Sequence, residues 1–185
     1  MERSLETMSG ILSSLLDVNR LEAGNLRASK SDFAINDVFD VLAADFRDFA
    51  AEKRLRWRMV HSGLLVRSDR NMLEVMLRNL LSNAIRYTDR GSILLGCRRS
   101  GDNIRIEVWD SGIGISQSQL SLIFEEYYQS ADSAERGGFG LGLAIVRRIG
   151  EALGHRIDVR STPGKGTAFS IEVPRGSASQ IPPER

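Results

Sequence analysis

Residues 92–110 read SILLGCRRSGDNIRIEVWD, two strand-forming runs around Ser100-Gly101-Asp102-Asn103. Glycine and asparagine tolerate the backbone angles of a tight turn, so this stretch predicts a β-hairpin. The pattern returns near the C-terminus, where RIDVRS and TAFSIEV flank a turn over residues 162–166. Two shorter runs, LRWRMV and LLVRS, also read as strands. Between them, apolar residues at helical spacing predict three helices. One runs from an Asn36-Asp37 N-cap to about residue 54, one over 69–87 and one over 141–153. Hairpins mixed with helices do not build a strict βαβ repeat. The expected class is α+β, with helices layered on one face of a mostly antiparallel sheet.

A chain of 185 residues can bury one domain and carry a small appendage. The formal charge of +1 gives no electrostatic case for nucleic acid or an anionic membrane surface. A single cysteine, Cys97, excludes an intrachain disulfide and a cysteine metal cluster. Within ILLGC it reads as a small buried hydrophobe. No run is apolar enough to span a bilayer, and MERSLETMSG has no signal-like core. The chain reads as cytosolic, with a longer parent protein left open. Leu5, Met8, Leu12, Leu15 and Leu16 form a bundle-type stripe on a helix over residues 2–22, with Gly24 as its C-cap. That helix must dock on the following domain or pair with another chain. The tail PRGSASQIPPER reads as a flexible linker. Residues 1–24, 25–174 and 175–185 are the expected divisions.

Four stretches could carry chemistry. GGFGLGL runs into a helix, so Gly138, Gly140 and Gly142 could bring backbone N–H groups to an anion. The preceding QSADSAER is loop rather than strand, and no Gly-Lys-Ser/Thr ending follows. Two familiar nucleotide-binding fingerprints are therefore excluded. A glycine-rich hinge without a ligand would look the same. In LRNLLSNAIRYT, Asn79 and Asn83 share one helix face, and their oxygens suit a hard cation. Arg86 and Tyr87 follow one turn on, an arginine for phosphate and a tyrosine for stacking on a base. A solvated polar face is the plainer alternative. VWDSGIGIS ends a strand at Asp110 and continues with Gly112 and Gly114. Asp110 could accept from an exocyclic amine; an ordinary turn is the alternative. In STPGKGTAF, Thr167 would lie beside Asp110 with its hydroxyl helping to order that carboxylate. The polar residues 111–138 are too long for a simple connection and suggest a lid.

In this order, Asn-xxx-Asn, Asp-x-Gly-x-Gly, Gly-x-Gly-Leu-Gly-Leu and Gly-x-Gly-Thr resemble the boxes of the GHKL nucleotide-binding superfamily. LIFEEYYQ, centred on Phe124, resembles the F box of sensor histidine kinases. The resemblance covers about residues 31–174. It implies a two-layer α/β sandwich of the GHKL, or Bergerat, ATP-binding type with an N-terminal bundle helix. ATP would lie between the helices and the lid. It further implies that Asp110 reads adenine N6 with Thr167 behind it, and that Asn79 and Asn83 hold Mg²⁺ and phosphate oxygens. Those two asparagines are the expected catalytic and metal-binding residues. Arg86 and Arg136 would contact phosphate and Tyr87 would pack on the purine. Gly112, Gly114, Ile115, Gly138, Gly140, Leu141, Gly142 and Leu143 complete the implied nucleotide-binding set. Hydrolysing members of the superfamily carry a glutamate where Asn79 stands, and a carboxamide is not a general base. Transfer to an acceptor is therefore the implied chemistry, since it needs mostly positioning and charge neutralisation.

The family's acceptor is a histidine on a preceding helical hairpin. Here only His61 and His155 occur, neither in such a motif, so both read as structural or surface residues. LLDVNRLEAGNL resembles the end of the hairpin's second helix. The implied partners are a phosphoacceptor domain of the same or a paired protomer, and a response regulator or receiver domain. The implied assembly is a homodimer in the full-length protein. No nucleic acid or membrane contact is expected of this stretch. Two other readings stay open: a non-catalytic ATP-sensing or partner-binding module, and a GHKL-type serine kinase.

Overall fold

The computed structural model describes residues 28–129 and 140–177. The expected bundle helix and the lid residues Arg136 and Gly138 lie outside the described residues. The elements run β1 (Ser31–Ala34), α1 (Asn36–Glu52), β2 (Arg56–Met59), β3 (Leu65–Ser68), α2 (Arg70–Tyr87), β4 (Ser92–Ser100), β5 (Asn103–Asp110), α3 (Gly142–Leu153), β6 (Arg156–Thr162) and β7 (Gly166–Pro174). Five strands form one sheet in the order β2-β4-β5-β7-β6, and β1 pairs with β3 in a separate two-stranded sheet. Strands β2 and β4 are parallel; the other neighbours in the large sheet are antiparallel.

Alternation along the strands decides which face is covered. On β5, Ile104, Ile106 and Val108 are buried, while Trp109 is exposed. On β7, Phe169, Ile171 and Val173 join the same core. Helix α2 closes that core with Leu73, Met76, Leu77, Leu80, Leu81 and Ala84. Its start is sharp because Asp69 accepts from the Met72 amide at 3.1 Å. Helix α3 packs on α2, and α1 lies against α2 and β2. Gly154, in the left-handed conformation, ends α3.

Two local expectations are corrected and one strand is added. The Asn36-Asp37 pair does not cap α1. Buried Ile35 stands at the N-cap without a side-chain bond. The Asn36 side-chain Oδ1 instead accepts from the Ser62 amide at 3.0 Å. Strand β1, unread in the sequence, forms because SDFA buries Asp32 and Phe33 and finds a partner in β3. The tail is not a linker from its first residue. Arg175 bridges to Val66, and the Gly176 amide donates to Leu65 O at 2.9 Å. Ser177 then donates to Asp32 from its amide at 3.2 Å and its hydroxyl at 3.1 Å. A boundary at 174/175 would cut through these contacts.

The two histidines are placed differently. His61 is exposed beside Asp40. His155 is buried, with Nε2 2.8 Å from Ser68 Oγ. Burial and the nearby Lys30 charge lower its pKa from 6.5 to about 4. Between those values the unfolded chain takes up a proton that the folded chain refuses. His155's contribution to stability is therefore intact above 6.5 and is lost as pH falls towards 4. Thermal melts between pH 7.5 and 5 are expected to show a falling Tm. His155→Gln should flatten that slope.

Candidate functional site

Strand register sets the site's centre. Asp110, the last residue of β5, is paired with Ile93 on one side and Thr167 on the other. Its Oδ1 accepts from the Gly112 amide at 2.8 Å and the Thr167 amide at 3.3 Å. Its Oδ2 has no hydrogen-bond donor among the described residues. Burial pushes the Asp110 pKa upward, outweighing the two amide bonds that pull it down. The expected bond from the Thr167 hydroxyl to this carboxylate is absent. Thr167 sits opposite Ser161 in the β6–β7 register, and its Oγ1 lies 2.9 Å from Ser161 Oγ.

The loop after Asp110 is laced to its surroundings. Ile113 donates from its amide to Tyr87 O at 3.2 Å and accepts from Gly164 N at 2.7 Å. Gly114 combines a φ of 71° with a close approach. A Cβ there would lie 2.1 Å from Thr162 O, so no other residue fits without moving the β6–β7 turn. The hinge is thereby fixed between the end of α2 and that turn.

On α2, Asn79 donates from Nδ2 to Val75 O at 2.9 Å. Its Oδ1 has no donor among the described residues. A Cβ on Gly142 would sit 2.9 Å from that oxygen, so the glycine lets the start of α3 approach the Asn79 amide. Asn83, one turn on, makes no side-chain hydrogen bond among the described residues. Gly140 O accepts from Tyr127 N at 3.0 Å, which ties the start of α3 to the LIFEEYYQ segment. Ion pairs Arg147–Glu125 and Arg148–Glu126 add to that tie.

One cleft is lined by Asn83, Tyr87, Asp110, Gly114, Ile115, Leu143 and Thr167 of the sequence-derived set. Gly112 adjoins it through its bond to Asp110, while Asn79, Gly140, Leu141 and Gly142 gather at the start of α3. Arg86 is half-buried and does not line the cleft; its carbonyl oxygen accepts from Lys53 Nζ at 3.2 Å. Ile113, Gln119, Ile123, Tyr128 and Phe169 also line it, unread in the sequence. Phe169 was within reach, because it stands two residues beyond Thr167 and so on the same strand face. The cleft holds about 660 Å³ of atom-free space, its open mouth included. It has an apolar wall with a carboxylate and an amide, which suits a flat heteroaromatic ring with polar substituents.

Residues 68–177 match the family described as histidine kinase-, DNA gyrase B-, and HSP90-like ATPase. The chain belongs to this family. The sensor kinase/phosphatase LuxQ of Vibrio cholerae serotype O1 is 37% identical over 91% of this chain and 21% of its own length. The sensor histidine kinase RcsC of Escherichia coli K12 is 31% identical over 94% of this chain and 19% of its own. The chain thus spans about a fifth of these relatives. Full-length ShkA, solved in complex with AMPPNP, aligns with a TM-score of 0.78 at 29% identity, covering 91% of this chain and 36% of that one. The nucleotide-free catalytic domain of histidine kinase ThkA aligns at 0.69 and 25% identity, covering 80% of this chain and 97% of that one. The α/β fold with its five-stranded sheet is that of histidine kinase catalytic domains. Among the described residues, no helix is long and apolar enough to cross a membrane.

The raised pKa of Asp110 has a cost in the ligand-free protein. Its folded value lies above the unfolded 3.8. Stability is therefore lost as pH rises from 3.8 through the folded value, and the charged form destabilises the fold at neutral pH. Asp110→Asn keeps an oxygen for the two amides and removes the buried charge. In the absence of ligand its Tm at pH 7 is expected to equal or exceed that of the parent chain.

Proposed function

We propose that this chain binds ATP with Mg²⁺ and donates the γ-phosphoryl group to a histidine of a dimerisation and phosphoacceptor domain in two-component signalling. The observation that carries the proposal is Asp110. Two backbone amides hold one of its oxygens, and the other is left to a ligand in an open cleft with an apolar wall. The relatives named as sensor kinases and the ShkA complex with AMPPNP support the same reading.

In this reading the free Asp110 oxygen accepts from adenine N6, directly or through a water, and Tyr87 packs on the purine. Ile113, Ile115, Ile123 and Phe169 supply apolar surface for the ring. Gly138, Gly140 and Gly142 let the lid close on the triphosphate, with Leu141 and Leu143 behind it. Arg86 and Arg136 are the phosphate candidates, and Arg86 must turn towards the cleft to serve.

The residues fit Mg²⁺ only together with a nucleotide. The amide oxygens of Asn79 and Asn83 have no donors among the described residues, so both are available to a hard cation. No group of three acidic, histidine or cysteine side chains that could hold a metal occurs among the described residues. The remaining ligands must come from phosphate oxygens and water. Bound there, the ion would neutralise charge on the phosphates. Asp110 is the only carboxylate among the described lining residues, and it serves the base end. Neither asparagine can take a proton from water, which favours transfer over hydrolysis. In the transfer, the bond from the γ-phosphorus to the bridging oxygen breaks, one forms to an imidazole nitrogen, and ADP leaves.

The test is calorimetry with Mg-ATP, followed by transfer of labelled phosphoryl to a separately supplied phosphoacceptor domain. Asp110→Asn loses a hydrogen bond to a charged group and should weaken ATP binding by about 10- to 100-fold. Unchanged affinity in that variant would overturn the site. Asn83→Ala should shrink the gain in ATP affinity that Mg²⁺ confers over EDTA. Transfer should be undetectable in both variants, and negligible turnover is expected of the parent chain alone.

A further inference from the structure

Ser161, at the end of β6, stands where three hydrogen bonds cross. Its Oγ is 2.8 Å from the Ile115 amide nitrogen, 2.9 Å from Gly166 O and 2.9 Å from Thr167 Oγ1. A serine hydroxyl carries one hydrogen. A carbonyl oxygen can only accept, so that hydrogen goes to Gly166 O. A backbone amide can only donate, so Ser161 accepts from Ile115. The third contact must then be a donation from Thr167 to Ser161. The Thr167 hydrogen is thereby committed to β6, and only its oxygen lone pairs remain for the cleft that Thr167 lines.

Asp110 beside it has the same character. Its Oδ1 is taken by two amides, and its Oδ2, when ionised, can only accept. Neighbouring groups on two strands therefore present acceptors and no donor.

We propose that Ser161 is a positioning residue that sets the hydrogen-bond polarity of this end of the cleft. Acting through Thr167, it keeps the edge acceptor-only. Such an edge accepts a purine bearing an exocyclic amine and rejects one that carries only an acceptor at the same place, ring N1 being the same in both. The inference rests on the nucleotide reading above and adds a residue to it. Ser161 also ties the hinge at Ile115 to the turn that carries Thr167, so the polarity is set where the loop is anchored. Buried polar groups left unpaired by the wrong ligand are a strong source of discrimination.

The experiment compares ATP with its 6-methoxypurine analogue, in which an ether oxygen replaces the amine and ring N1 keeps its lone pair. Both are titrated with Mg²⁺ into this chain by calorimetry. Ser161→Ala frees the Thr167 hydrogen to turn into the cleft. The preference for ATP over the 6-methoxy analogue should fall by about three- to tenfold, the scale of one neutral hydrogen bond. Ser161→Thr, which keeps a hydroxyl, should restore it. In a Thr167→Val background, Ser161→Ala should leave the ratio unmoved. Equal weakening of both nucleotides in Ser161→Ala would mean a merely structural role and overturn the proposal. So would an unchanged ratio, or the same shift in the Thr167→Val background. Should Ser161→Ala fail to fold, Thr167→Val alone reads the same polarity. It should weaken ATP more than the 6-methoxy analogue, and equal effects would again overturn the idea. If Asp110→Asn leaves ATP affinity unchanged, the nucleotide reading itself fails. If it cripples ATP binding while the Ser161→Ala ratio stays fixed, only the role of Ser161 falls.

Discussion

The pairing of β5 with β7 is the constraint on which the rest of the molecule depends. It sets Asp110 opposite Thr167 and, through the same ladder, stacks Ile106 opposite Ile171 and Val108 opposite Phe169. A slip of one residue would turn every side chain to the other face. Trp109 would enter the core and Asp110 would leave the cleft. The buried alternation of Ile104, Ile106 and Val108 makes that slip too costly, so the hydrophobic core of the sheet is also what aims the carboxylate. Beyond Asp110 the hinge has no freedom to wander, because Tyr87 O and Gly164 N hold Ile113 and Ser161 Oγ holds Ile115.

The two perturbed groups show opposite uses of burial. His155 is held neutral at the corner between α3 and β6, where it joins β3 through Ser68 and stabilises the fold at neutral pH. Asp110 is also buried, yet its charge is only partly compensated by two amides. The fold tolerates that strain because the ladder and the hinge over-determine the position. In the reading proposed above, a ligand's amine would relieve it. Stability and recognition would then pull against each other at a single carboxylate.

Much of the architecture was legible in the sequence for a physical reason. Hairpins and amphipathic helices are local patterns, so SILLGCRR with IRIEVWD, and the stripe from Leu73 to Ala84, announce themselves. The spacing of Asn83 and Tyr87 on one helix, and of Asp110 with its glycines, pointed to residues that do line one cleft. What escaped notice depends on distant partners. SDFA is too short to declare itself a strand without β3. Asn36 looked like a cap because asparagine often is one, but Ser62 claims its side chain. Arg175 to Ser177 read as linker from composition, although β3 and Asp32 are waiting for them.

By itself the sequence determined every described element but the first strand, their order, the chemistry available at each box and the family resemblance. All of these follow from local spacing and residue type. Only the tertiary structure decided how those residues are aimed. It joined Asp110 to Gly112 and Thr167, turned the Thr167 hydroxyl to Ser161 and away from Asp110, and left Arg86 outside the lining of the cleft. It also brought the glycine at the start of α3 against Asn79. Hydrogen-bond direction and close approach belong to pairs of groups far apart along the chain, and no local pattern encodes them.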